Sequence, residues 1–514
     1  MDDVFSRIWS AVSARSYEIA ALLGFLLVLG TIAHTIYCLY LHPLANFPGP
    51  KFAAISRLPF SISAVTGSTY KWLDGLHAQY GPVVRISPGE LTTISPGAWK
   101  DIYLTRPQLR KDPYSQTPPM KGAHSLFTAH GSTHSRIRKV FSKAFTENAL
   151  KAQSPLIESH VDLFVQRVRR EISKVDNGII DIARYYGYAA LDVIADMSFG
   201  ESFHGLEGDN EHNWIVGVFL GAKFGAIRNS LSHFYPLDRL FGMIFLRLTA
   251  KHRKRNYDIA EDAIEKRLRF GDLGSKRSDF ISAVLGNVDE QSEKGISRIE
   301  LEANTLAIVI AGSQLTTVAF ATMTYLLLSN PVTYERLRKE IRESFTSEKD
   351  ITVATAQSLP YLSAAIDETL RIHHPTPIHL PRIVPEGGQV IDGTWIPGKT
   401  VIGMALQTAQ TSPLYFEDPL GYHPERFLSP SDPRYEARFD RDEKRAFRPF
   451  SIGNRNCLGE RFVLAEIKLM MAKTFWSFDM SLAENSDTDW MDQKAYLVFT
   501  PKPLFVKISE RTVE

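Results

Sequence analysis

Two long apolar runs dominate the pattern of hydrophobic and polar positions along the 514-residue chain. Residues 19–41 carry no Lys, Arg, Asp or Glu and are interrupted only by His34. At helical rise this run spans about 34 Å, enough to cross a bilayer core with slight tilt. Ser10 to Ser16 ahead of it is polar and no small-residue cleavage site is evident, so the pattern predicts a retained anchor rather than a cleaved leader. The prolines of His42-Pro-Leu-Ala-Asn-Phe-Pro-Gly-Pro then stop the helix and make a stiff hinge. The second run, residues 305–328, is also uncharged. Ser313, Gln314, Thr316, Thr317, Thr322 and Thr324 make it too polar for lipid, and its start carries soluble-helix punctuation. Ser297 and Glu300 form a capping box, Ile296 and Leu301 a hydrophobic staple, and Asn330-Pro331 ends the pattern. This predicts a helix of roughly 32 residues, about 48 Å long, buried through a protein core.

Shorter patterns fill in the rest. The apolar run 462–472 predicts a helix, and Glu368 and Arg371 at i, i+3 share one helix face. Residues 83–87 and 91–94 flank Pro88-Gly89 and predict a hairpin; residues 393–398 with Val401-Ile402 predict a second. Residues 214–248 are unusually apolar, with Phe219, Phe224, Phe234, Tyr235, Phe241 and Phe245, and are expected to be core or pocket. The basic run 251–255 is expected to be a solvated face.

Composition narrows the classes. Lys plus Arg number 59 against 57 Asp plus Glu, so the balance gives no case for a nucleic-acid partner. Two cysteines provide no disulfide framework, and a reducing compartment is expected for the catalytic part. Length alone allows about three domains, but no repeat or low-complexity linker divides the motifs below. The expected organisation is an N-terminal segment 1–18, a transmembrane anchor 19–41 and one large catalytic domain 42–514.

The chemistry concentrates in Phe450-Ser-Ile-Gly453-Asn-Arg455-Asn-Cys457-Leu-Gly459. A lone thiolate in a glycine-hinged loop, followed at once by a helix, suits axial ligation of a haem iron. Gly453 and Gly459 allow a tight turn and close approach to a flat cofactor. Arg455 offers a fixed cation for a haem propionate. The helix's free N–H groups favour thiolate over thiol, and a thiolate ligand favours O–O cleavage. A buried structural cysteine would account for Cys457 alone, but not for the filled pattern F-x-x-G-x-R-x-C-x-G. A cysteine hydrolase would need a His/Asp partner pattern that is missing. The segment resembles the haem-binding signature of the cytochrome P-450 family.

Further matches follow in the family's order, and the resemblance covers roughly residues 36–510. Glu368 and Arg371, with Arg426 in Pro424-Glu-Arg426-Phe427, are implied to form a buried charge network behind the haem that serves fold and haem incorporation. His134 and Arg138, at i, i+4, resemble the family's early helix that reaches a propionate. Arg382 in Leu380-Pro-Arg382 takes the place of a further propionate-binding arginine. Ala311-Gly312-Ser313-Gln314-Leu315-Thr316-Thr317 resembles the oxygen-binding segment A/G-G-x-D/E-T-T, small residues at 311 and 312 leaving room beside the haem. The usual acid is Gln314 and the usual threonine is Leu315, so Thr316, one turn from Gly312, is the expected substitute in the proton relay. Phe127, Leu315, Ile378 and Leu380 are pocket residues by position.

The resemblance implies a mainly α fold with small β-sheets, preceded by one N-terminal transmembrane helix. It implies haem b with the Cys457 thiolate as axial ligand. It implies a monooxygenase that oxidises, and in the first reading hydroxylates, a small apolar secondary metabolite of the fungal type. Electrons would come from NADPH-cytochrome P-450 reductase, with cytochrome b5 as an optional second donor. The expected location is the endoplasmic reticulum membrane, with a single-pass anchor and a cytosolic catalytic domain. Residues 214–248 would cover the substrate-access lid. Gln314 and Leu315 keep a second reading open, in which the haem-thiolate enzyme performs oxidative coupling, ring closure or rearrangement. A non-catalytic haem-binding protein is the third.

Overall fold

The structure, a computed structural model, describes residues 2–115, 119–208, 213–234, 237–269, 278–288, 294–484 and 486–511, with side chains of the first helix described from Tyr17 onward. That first helix, α1 (Asp2–Ile36), begins well before the apolar run and passes into a wider π-helical turn at Tyr37–Leu41. Within its Tyr17–Leu41 stretch the most apolar 18-residue window has a mean hydropathy of 2.2 and is not buried. An apolar helix without protein around it needs another apolar medium, which is the behaviour of a membrane anchor.

The body beyond this helix is helical with small sheets at its margin. Its helices include α2 (Leu58–Thr66), α3 (Gly131–Phe141), α4 (Glu147–Ile172), α5 (Ile182–Phe199), α6 (Asn213–Leu231) and α7 (Leu237–Arg269). The long core helix is α8 (Arg298–Ser329), followed by α9 (Pro331–Ser344), α10 (Pro360–Ile372) and α11 (Glu460–Ser477). α8 starts where the capping pattern predicts. The Ser297 hydroxyl accepts the Glu300 N–H at 3.2 Å, and the Glu300 carboxylate accepts the Ser297 N–H at 2.9 Å. Ile296 and Leu301 are fully buried at that corner. α5 lies along α8 more extensively than any other helix. The approach is so close that a Cβ on Gly312 would come within 2.5 Å of the Ile194 side chain on α5.

One five-stranded sheet runs in the order β1 (Val83–Ser87), β2 (Glu90–Thr93), β7 (Val401–Met404), β4 (Arg382–Ile383), β3 (Arg110–Lys111). The first predicted hairpin is β1–β2, antiparallel with Val83 opposite Thr93. The second differs from expectation. β6 (Thr394–Ile396) pairs backwards with β5 (Gln389–Ile391), while β7 joins β2 in parallel, Leu91 opposite Ile402. The physical reason is the turn: Asp392 and Gly393 both have positive φ, 45° and 75°, which suits a two-residue hairpin loop, whereas Pro397-Gly398 ends the strand. Of the apolar 214–248 region, the backbone forms α6 and the start of α7. The side chains of Trp214, Phe219 and Phe245, and Tyr235 altogether, lie outside the described residues, as do the side chains of residues 252 and 253 in the basic run.

Candidate functional site

Cys457 ends a loop whose shape is fixed by its backbone. The Cys457 N–H donates to the Phe450 carbonyl at 2.9 Å, closing the loop on itself. Gly453 sits at φ 81°, and a Cβ there would lie 2.3 Å from the Tyr103 carbonyl oxygen, so only glycine fits. Gly459 differs from expectation: its φ is −88° and a Cβ would meet nothing closer than Phe145 at 3.7 Å, so no protein contact requires glycine there. Phe450 packs against the main core from the loop's start.

α11 begins just after the cysteine, and the N–H groups of Gly459 and Glu460 donate to the Cys457 sulfur. Burial nevertheless pushes the thiol up to about 11, the two amides and Arg138 pulling the other way. The same side chain is exposed by surface area. Both statements hold together if the accessible side of the sulfur faces an interior space walled by protein. A free thiol with this pKa stays protonated near neutrality, and coordination to a metal would deprotonate it.

Arg138 acts on this sulfur and on Arg455, around which further basic side chains gather. Arg455 donates from Nη2 to the Ala129 carbonyl at 2.7 Å and from Nε to Gln108 at 3.2 Å, but its buried Nη1 has no partner among the described residues. Burial, then Arg382 and Arg138, hold its guanidinium down at about 10. Arg382 stacks 5.0 Å over the Tyr103 ring, donates from Nη1 to the Pro381 carbonyl and leaves a buried Nε without a partner among the described residues. His134 is buried on α3 and pushed down to about 3 by burial, Arg455, Arg138 and Lys111. Lys111, on β3, donates to the Phe127 carbonyl at 3.0 Å; burial, Arg455 and Arg382 lower it to about 7. Arg138 is tied to the cysteine loop instead, with bonds of 2.9 and 2.6 Å to the Asn456 carbonyl and side chain.

Among the described residues no carboxylate appears among the charges that act on Arg455, Arg382, His134 or Lys111. A cluster of buried cations with orphaned donors is costly without an anionic complement. A flat group carrying carboxylates at one edge and taking a thiolate ligand at its centre supplies both needs. The residues therefore fit a haem. Lys111 and Gln108 carry no sequence signal: each is one residue reaching in from a distant segment.

α8 carries the Ala311–Thr317 segment. At its middle, Ile308, Ala311 and Leu315 are half-exposed, although the helix runs through the core. At i, i+3, i+7 they form one stripe. Gly312 differs from expectation in its use, since its bare side meets Ile194 rather than the stripe. Thr316 is 1 % and Gln314 6 % exposed, and they lie about 100° to either side of Leu315. The Gln314 Nε2 group is buried without a partner.

Glu368, Arg371 and Arg426 are each 0 % exposed. Glu368 takes a two-pronged bond from Arg371, at 2.7 and 2.8 Å, and a third from Arg426 at 3.1 Å. Asp442, not foreseen from the sequence, pairs with Arg426 and brings the group to two carboxylates and two guanidiniums. The Gln410, Pro419 and Gly421 carbonyls take the remaining Arg371 donors.

Comparison with known proteins follows the same outline. The family profile described as "Cytochrome P450" matches residues 50–508. The chain is 36% identical over 492 residues to "Averantin hydroxylase" of Dothistroma septosporum, covering 95% of this chain and 91% of that protein. It is 34% identical over 515 residues to "Cytochrome P450 monooxygenase lcsI" of Purpureocillium lilacinum, covering 98% and 96%. It is also 34% identical over 494 residues to "Cytochrome P450 monooxygenase stcF" of Emericella nidulans, covering 96% and 100%.

Proposed function

The chain belongs to the cytochrome P450 family and is a monooxygenase of that family, and we propose that it inserts oxygen into a C–H bond of a small apolar secondary metabolite at a haem held by Cys457. The observation that carries this reading is the exposed sulfur of Cys457, acted on by Arg138, next in line to a buried basic group whose Arg455 and Lys111 feel no carboxylate among the described residues. Arg455, Arg382, His134 and Lys111 would hold the haem's carboxylates, and Cys457 its iron. Bound there, the haem would supply the redox chemistry that activates dioxygen.

The protein's own contribution is placement and exclusion. Ile308, Ala311 and Leu315 present an apolar wall, which suits an apolar substrate and keeps water sparse. Relatives include two proteins named averantin hydroxylase, which supports hydroxylation as the reaction type. Electrons are proposed to come from NADPH-cytochrome P450 reductase, with cytochrome b5 as an optional donor, at the endoplasmic reticulum membrane. The exposed apolar side chains Phe52, Leu58 and Ile62, with Met243, Ile244 and Leu248 on α7, support a second seat on the bilayer beside the anchor.

The reading is tested on the ligand. Cys457→Ala is expected to abolish the strongly red-shifted Soret band of the reduced carbon monoxide complex, while Cys38→Ala keeps it. A thiolate-type spectrum surviving in Cys457→Ala would refute the assignment. One observation favours a second reading: the open stripe of α8 carries no hydroxyl or acid. Oxidative coupling, ring closure or rearrangement would make less demand on proton delivery than hydroxylation. Labelled dioxygen separates the two, since only hydroxylation leaves label in the product.

A further inference from the structure

We infer that Asn304 positions the 121–129 loop as a wall of the Cys457 site and thereby sets which substrates fit. Asn304 is fully buried on α8. It lies on the same face as Ile308, Ala311 and Leu315, one turn before the open stripe begins. Its Oδ1 accepts the Leu126 N–H at 2.7 Å. Its Nδ2 donates to the Glu300 carbonyl at 2.7 Å and to the His124 carbonyl at 3.4 Å. A carboxamide alone among the side chains of this size offers one acceptor and two donors at these places.

The loop it holds is braced by its own hydrogen bonds. The Ser125 carbonyl accepts the N–H groups of Thr128 and Ala129, at 3.0 and 2.8 Å, and the Thr128 hydroxyl accepts the Ser125 N–H at 3.0 Å. On the far side the loop is tied to the cation cluster: Lys111 donates to the Phe127 carbonyl and Arg455 to the Ala129 carbonyl. The loop therefore bridges the open stripe of α8 and the surroundings of Cys457. Only Asn304 fixes its α8 end by side-chain hydrogen bonds among the described residues. Loss of that side chain leaves a backbone donor and acceptor unsatisfied and lets Leu126 and Phe127 shift relative to the stripe. What the loop faces rests on the haem reading of Cys457; the staple itself does not.

The test uses full-length, haem-reconstituted protein in detergent, with Asn304→Ala and Asn304→Asp beside the parent. Asn304→Asp keeps the acceptor for Leu126 and loses the donors. Hydrogen exchange by mass spectrometry is read over residues 121–129, and 1-alkylimidazoles from methyl to octyl serve as graded haem ligands read by the Soret shift. In Asn304→Ala, exchange in the loop should speed by about tenfold, equivalent to about 1.4 kcal/mol of local opening. The spread of dissociation constants across the alkyl series should narrow by about fivefold, with haem content unchanged. Asn304→Asp should fall between parent and Ala in both readouts, and carries the test if Asn304→Ala does not retain haem. Unchanged loop exchange in both variants overturns the staple. Faster exchange with an unchanged alkyl spread overturns its role in selection. A parent that shows no Soret response to any imidazole refutes the haem reading, and the exchange arm still decides the staple.

Discussion

Leu315 occupies the one place on α8 where a side chain both shares the open stripe with Ala311 and differs in chemistry from the acid-and-hydroxyl pattern of the family. Thr316 lies about 100° round the helix and is buried, so as the proposed proton donor it has to act through water rather than directly. A directly positioned proton-transfer group is worth about 10²–10⁴-fold in rate. Thr316→Val is therefore expected to lower product formed per reduced nicotinamide by less than that, about tenfold at most, with more peroxide and unchanged haem content. Leu315→Thr, which puts a hydroxyl on the stripe itself, is expected to raise the yield per nicotinamide. Coupling unaffected by Thr316→Val would remove Thr316 from the route. The same contrast shows what single residues reveal in a sequence. Cys457, Arg455, His134, Arg138 and Arg382 stand out in the sequence because each sits in a spaced motif. Lys111, Asn304 and Asp442 do not, because their role comes from folding that brings them beside partners far along the chain.

At the scale of elements, local signals were legible and long-range pairing was not. The ends of α8 follow from a capping box and a proline, which act within a few residues. The parallel pairing of β2 with β7 joins Glu90 to Val401 and leaves no periodic trace in either strand. The Glu368–Arg371–Arg426–Asp442 group ties α10 to the 417–442 segment in the same long-range manner. Removing one partner strands a buried charge, and such a break costs about 3–5 kcal/mol. Glu368→Ala is expected to yield little haem-loaded protein and a lowered thermal midpoint; normal yield would mean that the group is not fully desolvated. A second buried carboxylate gives a pH signature. Glu90, at the start of β2, meets Arg57 and, at 2.7 Å, His379. Burial raises its pKa, but the two partners outweigh burial and hold it down at about 2. Its stabilisation is therefore complete above the ordinary glutamate range near 4.5 and is lost as pH falls toward 2. Acid unfolding followed by circular dichroism should begin in that window, and Glu90→Gln should flatten the dependence there.

For the molecule as a whole, the question is where the anchor ends and the catalytic body begins. The sequence places the change at the proline hinge, because composition switches there. The structure shows contacts that start earlier. Cys38 is 1 % exposed, and the His34 ring bonds the Ile55 carbonyl at 3.0 Å. Arg85, itself 2 % exposed on β1, donates to the Cys38 carbonyl at 2.8 Å, to Leu44 at 3.3 Å and to Pro88 at 2.8 Å. A buried guanidinium at a helix C-terminus is held by carbonyls and by the negative end of the helix dipole. The N-terminal helix is thus bolted to the sheet rather than hung from a flexible tether, so that its seating in a bilayer would fix the tilt of the body beyond it. Two truncations separate the functions of this junction. Deleting residues 1–36 removes the exposed apolar helix and keeps Cys38 and its carbonyl. Deleting residues 1–41 also removes an acceptor of Arg85 and uncovers the site that Cys38 fills. Both proteins should fold with haem and float less with phospholipid vesicles than the full chain. The longer deletion should be less stable by about 1–3 kcal/mol, the cost of leaving a buried charged donor short of an acceptor, read as a lower thermal midpoint of the haem-loaded protein. Arg85→Leu in the protein lacking residues 1–41 should recover part of that loss, because the stranded charge is gone. Equal stability of the two truncations would show that Arg85 draws its hold from Leu44 and Pro88 alone.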